Sequence, residues 1–215
     1  DRDCGGESPR PGSPAVPLEE EMRRVLPFVQ AAVQFGVPIS VDTYKAQVMQ
    51  AVLDAGADII NDVWALRQSG AQSVVANHPQ CGVVLMHMHK TPQDMQQTPM
   101  QGDAVAQVQN FLAQQTQALL ALGVERQRIV WDYGIGFGKT VAQNFALLAQ
   151  QAALTRQGFA LLAGWSRKSS LGQVTNRSVE ERMVPSVAAA VLAAGRGARI
   201  VRAHDVSTIS YTHQK

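Results

Sequence analysis

Short apolar runs that end in a polar or charged residue recur along this chain, and the stretches between them are long enough for helices. Each run predicts a buried strand. The six runs end at or near Asp42, Asn61, His87, Asp132, Lys168 and Arg202. Because parallel strands with helical connections place every carboxyl end on one rim, these side chains should converge on a single pocket. The pattern therefore favours an enzyme.

The apolar runs predict strands over 38–42, 57–63, 82–88, 128–132, 159–164 and 200–203. Helical periodicity predicts helices over 45–55, 72–77, 103–122, 144–153 and 178–195. Alternating strands and helices favour a parallel α/β fold, and no G-x-G-x-x-G fingerprint follows the first strand, as a doubly wound dinucleotide domain would require. We therefore predict a (β/α)8 TIM barrel that forms one domain over residues 1–215.

A barrel of this type has eight strands and about 250 residues, whereas this chain has 215 residues. Residues 1–12 are polar and rich in glycine and proline, which is typical of a loop that follows a strand. Only residues 204–215 remain after the last predicted strand. The expectation is an incomplete barrel that lacks its first one or two strands and part of its last helix.

Composition narrows the class of partner. The chain is 46% hydrophobic and 17% charged, which suits a soluble domain. Its formal charge of +2 gives no reason to expect nucleic acid or an anionic membrane as the main partner. No apolar stretch is long enough to span a bilayer, and Cys4 and Cys81 lack the spacing of a disulfide framework or metal site. These features predict a cytoplasmic protein that acts on small molecules.

A glycine-rich segment, DYGIGFGKT, follows the strand that ends at Asp132. It is not a P-loop, because the glycine required five positions before the Gly-Lys pair is replaced by Tyr133. A turn between strand and helix is the simpler interpretation. However, a carboxylate beside a loop whose backbone can approach a flat ligand suits the N–H groups of a guanidine-like heterocycle.

Two adjacent cations, Arg167 and Lys168, directly follow the predicted strand 159–164 and are flanked by Ser166 and Ser169. Such a pair is equally consistent with a solvated loop and with a site for a carboxylate, carbonyl or phosphate oxygen. Both interpretations stay open.

A second cationic segment is VRAHD, in which Arg202 and His204 point to the same side if the backbone is extended. This segment is either a structural pair or a pyrophosphate site. Arg10 lies in a turn within GGESPRPG, where Glu7 could pair with a neighbouring strand. His87 and His89 are two positions apart, a spacing that resembles that of two metal ligands, but no third ligand for zinc is evident.

Seven short segments occur in the same order along the chain as the motifs of one known protein family. They are GGESPRPG at 5–12, SVDTYK at 40–45, INDV at 60–63, LMHM at 85–88, DYGIGFGK at 132–139, SRKS at 166–169 and VRAHDV at 201–206. Together they resemble the dihydropteroate synthase family of the folate pathway. The resemblance implies a (β/α)8 barrel that condenses 6-hydroxymethyl-7,8-dihydropterin pyrophosphate with 4-aminobenzoate, releasing pyrophosphate. It also implies assistance by Mg2+, sulfonamides as competing analogues, and a homodimer.

Roles for the site residues follow from the resemblance. Carried over by position, the pterin would be held by Asp42, Asn61, Asp132 and Lys168, with Met86 packing on its face and Arg202 stacking over it; Gly164 would also be a substrate-binding residue. Lys168, Arg202 and His204 would be catalytic, and Arg202, His204 and Arg10 would stabilise the departing pyrophosphate. Phe137 and Ser169 would contact the aminobenzoate. No metal ligand is expected within this chain, because the family's metal-binding Asn belongs to a first strand that has no counterpart here.

Two substitutions depart from the family pattern. Pro9 occupies the place of the usual Thr, which removes a hydroxyl and a backbone donor near the aminobenzoate site. Tyr133 occupies a position that is commonly proline, so the turn after Asp132 is expected to be less rigid. Two alternatives stay open: a barrel similar to the pterin-binding methyltransferases, and a truncated barrel without catalytic activity.

Overall fold

The computed structural model describes residues 2–8, 13–92, 94–95 and 97–210. Within these residues, seven strands alternate with α-helices. The strands are β1 (Arg2–Gly5), β2 (Ile39–Asp42), β3 (Ile59–Asp62), β4 (Gly82–Met86), β5 (Ile129–Asp132), β6 (Ala160–Ala163) and β7 (Ile200–Val201). The helices are α1 (Leu18–Ala32), α2 (Ala46–Asp54), α3 (Ala71–Asn77), α4 (Ala104–Ala121), α5 (Val141–Ala149), α6 (Gln151–Thr155), α7 (Ser169–Thr175), α8 (Met183–Gly195) and α9 (Val206–Ser210).

All six predicted strands are present, with boundaries within two residues of the predicted ones. One expectation about the amino-terminal segment is wrong. Residues 1–12 were expected to be the loop after a strand that is mostly missing, but four of them form β1, which pairs in parallel with β2, with Gly5 opposite Asp42. The polar sequence of β1 conceals it, because a four-residue strand carries little periodicity.

Two helices were not predicted. The inward face of α1 has Val25, Val29 and Ala32 at helical spacing, so the sequence does carry the pattern of this helix; the buried acid Glu21 is the polar member of that face. Helix α7 is only seven residues long and contains Gly172. The Arg182 guanidinium packs directly against that glycine.

The predicted helix over 144–153 is two helices. Helix α5 begins three residues earlier than predicted, because Thr140 and Gln143 form a capping box at its start. It ends at Ala149, and α6 begins after Gln150. The capping box matters for the site because it fixes where the glycine-rich segment after β5 ends.

The chain forms two compact units. The first contains Asp1–His87 and Phe111–Val130. In it, β1 to β4 pair side by side in parallel and in chain order. Val41, Ile60 and Val83, one from each of three strands, are completely buried. Parallel pairing with intervening helices confirms the predicted α/β class.

The second unit contains Met88–Asn110 and Trp131–Lys215. In it, β6 and β7 pair in parallel, with Ala163 opposite Val201. Its interior is aromatic: the rings of Trp131 and Phe159 stack at 5.0 Å between centroids, and Trp165 is almost fully buried. No helix in the described part of the chain is long and apolar enough to cross a membrane.

Candidate active site

In the first unit, three predicted pterin-binding residues share one face of the sheet. Asp42 ends β2 and is the register partner of Asn61 in β3, and register partners in parallel strands point to the same face. Asn61 is opposite Val84, so Met86, two residues further along β4, lies on that face as well. All three side chains are at least 90% buried. The structure thus brings these three residues together at the carboxyl ends of neighbouring strands.

The side-chain oxygen of Asn61 is an unmet acceptor. Oδ1 is buried and has no hydrogen-bond partner among the described residues. Leaving such an acceptor unsatisfied in the interior costs about 1–3 kcal/mol, and buried polar atoms are normally paired. An N–H donor from a bound molecule would satisfy it. A ligand with an aminopyrimidine edge has such donors.

Asp62, the next residue, supports this face from behind. Its two carboxylate oxygens accept hydrogen bonds from the backbone N–H groups of Trp64 and Leu66, each at 2.8 Å. These bonds hold a turn in which Ala65 and Leu66 both have positive φ, a strained conformation for residues with a side chain. Complete burial raises the pKa of Asp62 to about 7, although the two hydrogen bonds oppose the shift. Sequence reasoning missed this role, although the INDV motif contains the residue.

A buried ionic cluster of Glu7, Glu21 and Lys45 joins the segment after β1 to the segment after β2. The Lys45 ammonium contacts carboxylate oxygens of both glutamates, at 2.5 Å in the case of Glu7. The Tyr44 hydroxyl donates to Glu7 at 2.9 Å, and the Thr43 hydroxyl donates to Glu21 at 2.7 Å. Since Thr43 directly follows Asp42, this cluster fixes the backbone beside a predicted site residue.

Glu7 also closes a loop. Its carboxylate accepts the backbone N–H of Val16 at 3.0 Å, which draws together the two ends of the segment between them. Pro9 and Arg10 belong to that segment and lie outside the described residues. Glu7 was expected to pair with a neighbouring strand; its partners Tyr44 and Lys45 follow β2, which pairs with β1.

In the second unit, Asp132 ends β5 and is buried among cations. Its Oδ1 accepts the backbone N–H of Gly134 at 2.7 Å. Burial raises the pKa of this carboxyl, while that hydrogen bond and the charges of Lys168, Arg202 and Lys139 oppose the shift. Asp132 is therefore close enough to Lys168 and Arg202 for them to stabilise its charge, as the predicted site requires.

Lys139 has a role that the sequence analysis missed. Its side chain is 4% exposed, and Nζ donates to the carbonyl oxygens of Gly134 and Phe137 at 2.8 and 3.2 Å. Burial lowers its pKa to about 7; nearby Asp132 opposes that shift and Lys168 adds to it. This lysine ties together the glycine-rich segment that sequence reasoning compared with a P-loop. The Gly-Lys pair was the available signal.

Lys168 and Phe137 are in contact. Lys168 Nζ lies 4.5 Å from the centroid of the Phe137 ring, a cation–π distance. A Cβ on Gly136 would lie 3.5 Å from Lys168 Cδ, so the lysine stem passes close to this backbone. Lys168 also occupies the position just before α7. The structure therefore brings Phe137 and Lys168 together. Gly164 lies in open space, since a Cβ built on it would have no atom of the described residues beyond its chain neighbours within 4 Å.

A cavity of about 420 Å³ adjoins this contact. Among its lining residues are Gly136, Lys139, Asn144 and Ser169. Asn144 is buried and organises one wall: its Nδ2 donates to Ser170 Oγ at 2.9 Å, and its Oδ1 accepts the N–H of Gly136 at 3.1 Å. Ser169 is exposed, as a residue that meets a ligand at the cavity should be. A substituted benzene ring fits a cavity of this size.

Arg202 and His204 are exposed and follow β7. The Arg202 backbone N–H donates to the Ala163 carbonyl at 3.1 Å, which continues the pairing of β6 with β7. Next along the chain, His204 Nδ1 lies 2.8 Å from Ser166 Oγ, and Arg167 forms an ion pair with Asp205 at 2.9 Å. Of the two predicted cations after β6, Arg167 is therefore a structural partner and Lys168 is the site candidate.

Tyr133 anchors the turn after Asp132. Its hydroxyl donates to Gln151 Oε1 at 3.1 Å and accepts the indole N–H of Trp165 at 3.0 Å. Its side chain is completely buried. A less rigid turn was expected because proline is common at this position, but the buried side chain fixes the turn by contacts that proline could not make.

The predicted histidine pair does not form a metal site in the described residues. His87 packs its ring edge-on against Phe111 at 5.1 Å. No group of three or more His, Cys, Asp or Glu side chains among the described residues is arranged to hold a metal ion.

Comparison with known proteins identifies the class. Residues 3–204 match the family of pterin-binding enzymes. The chain belongs to this family. That assignment agrees with the buried carboxylate and amide acceptors described above.

Within the family, the chain belongs with the dihydropteroate synthases, which are transferases. It is 42% identical to dihydropteroate synthase from Escherichia coli K12 over 207 residues, 95% of this chain and 72% of that protein. Its fold is similar to that of the Yersinia pestis enzyme in a sulfonamide drug complex, with a TM-score of 0.94 and 41% identity over 97% of this chain and 76% of that one.

A further solved structure, the Burkholderia cenocepacia enzyme complexed with 7,8-dihydropteroate, is 48% identical with a TM-score of 0.89. The similarity covers 97% of this chain and 77% of that chain. These matches confirm the predicted family and its barrel fold. The chain spans about three quarters of the length of these relatives, 72% to 77%.

Proposed function

We propose that this chain condenses 6-hydroxymethyl-7,8-dihydropterin pyrophosphate with 4-aminobenzoate to give 7,8-dihydropteroate and pyrophosphate. The observation that carries the proposal is the grouping of buried Asp132 with Lys168 and Arg202. A reaction that separates an organic cation from an anionic leaving group needs fixed charges of both signs. A methyltransferase of the same family would have no pyrophosphate for Arg202 and His204 to hold.

The pterin is bound by acceptors matched to its donors. Asp42 and Asn61 accept hydrogen bonds from the aminopyrimidine edge, and the unmet Oδ1 of Asn61 supports this assignment. Asp132 accepts further N–H groups, since two carboxylate oxygens can take two parallel bonds. Met86 packs against the ring face. Lys168 donates to a ring carbonyl or nitrogen, and Arg202 stacks over the ring.

The reaction begins with cleavage of the bond between the pterin methylene carbon and the pyrophosphate oxygen. The bonding electrons leave with the pyrophosphate, and the pterin retains a delocalised positive charge. Asp42 and Asp132 stabilise that cation, while Arg202, His204 and Arg10 stabilise the departing anion. The aniline nitrogen then attacks the methylene carbon and loses a proton to give the product. Residues that meet charge only as it develops raise kcat rather than affinity.

The aminobenzoate is bound beside the Phe137–Lys168 contact. Its ring packs against Phe137, and its carboxylate accepts a hydrogen bond from Ser169, which lines the cavity. A sulfonamide has a similar ring with an amine at one end and acceptor oxygens at the other. It therefore competes for the same place, as the sulfonamide complex of the Yersinia pestis relative suggests.

Magnesium remains part of the proposal as the ion that accompanies the pyrophosphate. The described residues contain no cluster of three or more His, Cys, Asp or Glu side chains for it. Mg2+ is usually held by one or two carboxylates together with substrate phosphates rather than by an all-protein cage, and no step above depends on the ion. The cations of this chain supply the charge that opposes the pyrophosphate.

We further propose that the chain acts as one pterin-binding domain, in the cytoplasm, as a homodimer. The family match over residues 3–204 supports one domain. Apolar side chains on α8 support self-association, because Val184, Val191 and Leu192 are 70%, 42% and 47% exposed. Light scattering after size-exclusion chromatography would give the mass directly. A monomer at all concentrations would contradict the dimer.

The activity is tested by following pyrophosphate release from the dihydropterin substrate with Mg2+, with and without 4-aminobenzoate. We expect release only when 4-aminobenzoate is present, and formation of dihydropteroate in equal amount. Asp132→Asn should reduce the rate by about 100-fold or more, because one fixed charge is lost at the reacting group. The matched control is Asp54→Asn, an exposed aspartate on α2. Pyrophosphate release that does not depend on 4-aminobenzoate would contradict the proposal, and so would equal rates for Asp132→Asn and Asp54→Asn.

A further inference from the structure

Two side-chain pairs connect the segment after β6 to the segment after β7. Ser166 pairs with His204 at 2.8 Å, and Arg167 pairs with Asp205 at 2.9 Å. In each pair the two residues are 38 positions apart, the same offset as the register partners of β6 and β7. The two pairs therefore continue the β6–β7 pairing beyond the ends of the strands. The second pair is an ion pair that fixes the backbone on both sides. The first pair involves an imidazole that the proposed function uses.

The direction of the Ser166–His204 hydrogen bond sets the tautomer of the ring. The backbone N–H of His204 donates to Ser166 Oγ at 3.1 Å, so the serine oxygen already acts as an acceptor. A hydroxyl has one proton to donate. Among the described residues, His204 Nδ1 at 2.8 Å is the only acceptor within hydrogen-bond reach of this hydroxyl. If the hydroxyl donates its proton to Nδ1, the neutral ring carries its own proton on Nε2; if Nδ1–H donates to the serine oxygen instead, the tautomer is reversed.

We propose that Ser166 is a positioning residue that holds His204 as the tautomer protonated on Nε2 and presents that N–H to the pyrophosphate group. The inference rests on the proposed function, because it needs a pyrophosphate at His204. Serine suits this role because it fixes the ring through Nδ1 and the backbone through the amide of the same residue. An exposed histidine without such a partner would rotate and exchange tautomers.

The tautomer is measured by two-dimensional NMR on protein with 15N-labelled histidines, at about pH 8.5, where an ordinary imidazole with a pKa of about 6.5 is neutral. A His204→Gln variant identifies the signals of this ring among the five histidines. We expect Nδ1 to give the signal of an unprotonated ring nitrogen and Nε2 that of a protonated one. Saturation with inorganic pyrophosphate should shift the Nε2 signal. A proton on Nδ1, or an Nε2 signal unmoved by pyrophosphate, would overturn the proposal even if Ser166 variants fail to fold.

A kinetic double-mutant cycle then tests whether Ser166 acts through His204. Ser166→Ala should lower kcat/KM for dihydropterin pyrophosphate by about tenfold, the lower end of the loss found when a metal-ligating imidazole loses its orienting partner. In a His204→Ala background the same change should have less than about a twofold effect, because residues that act as a unit are not additive. The control is Ser178→Ala, an exposed serine whose hydroxyl bonds Glu181.

The two experiments separate the two proposals. If the chain shows no turnover, the proposed function fails, but the NMR titration with inorganic pyrophosphate still decides the role of Ser166. If turnover is present and Ser166→Ala costs the same factor with and without His204, Ser166 does not act through the imidazole and the inference is wrong. If the tautomer signals of Ser166→Ala equal those of the original protein, it is wrong as well.

Discussion

Replacing Lys45 by methionine should be among the most destabilising single changes in the first unit. The substitution keeps most of the side-chain volume and removes the cation that contacts Glu7 and Glu21. The Glu21 side chain is only 1% exposed, so water cannot replace the lost ammonium. Removing one member of a buried ion pair costs about 3–5 kcal/mol, because the other charge stays buried without a partner.

The lower end of this range applies, because Lys45 and Glu7 are 17% and 13% exposed. We therefore expect the free energy of unfolding to fall by about 3 kcal/mol. Urea denaturation followed by circular dichroism measures it, and at a slope of about 2–3 kcal/mol per molar the midpoint should fall by about 1 M. The matched control is Arg23→Met, which removes a 74% exposed cation from Glu20 and should leave the midpoint nearly unchanged, because solvent screens a surface ion pair.

A double variant, Glu21→Gln with Lys45→Met, tests the cause. It removes the stranded buried charge, so it should be more stable than Lys45→Met alone by about 1–2 kcal/mol. The reasoning is refuted if Lys45→Met costs no more than Arg23→Met, or if the double variant is less stable than the single one. Either result would mean that the cluster is solvated and does not hold the segment after β1.

Three further predictions concern the site. Asn61→Leu should raise the free energy of unfolding by about 1 kcal/mol, because it removes an unmet buried acceptor. The same change should weaken pterin binding at least tenfold in calorimetry, and equal pterin affinity would exclude Asn61 from the site. Burial lowers the pKa of Lys139 from 10.5 to about 7. Between pH 7 and 10.5 the unfolded chain therefore binds a proton at this lysine that the folded chain has released. The free energy of unfolding rises with pH over that window. Lys139→Met should flatten that rise in urea titrations across the same window, and an unchanged slope would contradict the assignment. Pro9→Thr restores a hydroxyl and a backbone donor, so sulfonamides should inhibit this variant more strongly than the original chain; equal inhibition constants would show that the proline is neutral.

Much of the fold was predictable because its strands carry continuous apolar runs. Segments such as IVWD and ALLA end at a glycine or a charged residue, and a buried parallel strand has this pattern. Helix α1 and strand β1 were missed for different reasons. Helix α1 has an apolar face with Val25, Val29 and Ala32 at helical spacing, and it could have been predicted from the sequence. Strand β1 has only four residues, and it is recognised by its pairing with β2, which requires the folded chain.

The candidate site was predictable to the extent that it lies at strand ends. Asp42 and Asn61 were identified because a polar residue that interrupts an apolar run is unusual, and their register then places them side by side. Residues that hold the site in place were quoted within the same motifs but not recognised. Lys45 acts on Glu7, which is 38 residues away, and such a contact requires the folded chain.

In four of the seven motifs the structure gives different roles to two neighbouring polar residues. In each pair one residue is a candidate for the ligand, and its neighbour holds the local structure: Asn61 with Asp62, Asp132 with Tyr133, Lys168 with Arg167, and His204 with Asp205. In β3 the cause is the alternation of side chains, which turns consecutive residues to opposite faces. A change to the first member of a pair should therefore affect kinetics more than stability, and a change to the second should do the reverse. Site and scaffold are separate at the level of single residues, so the two kinds of loss can be measured independently in one protein.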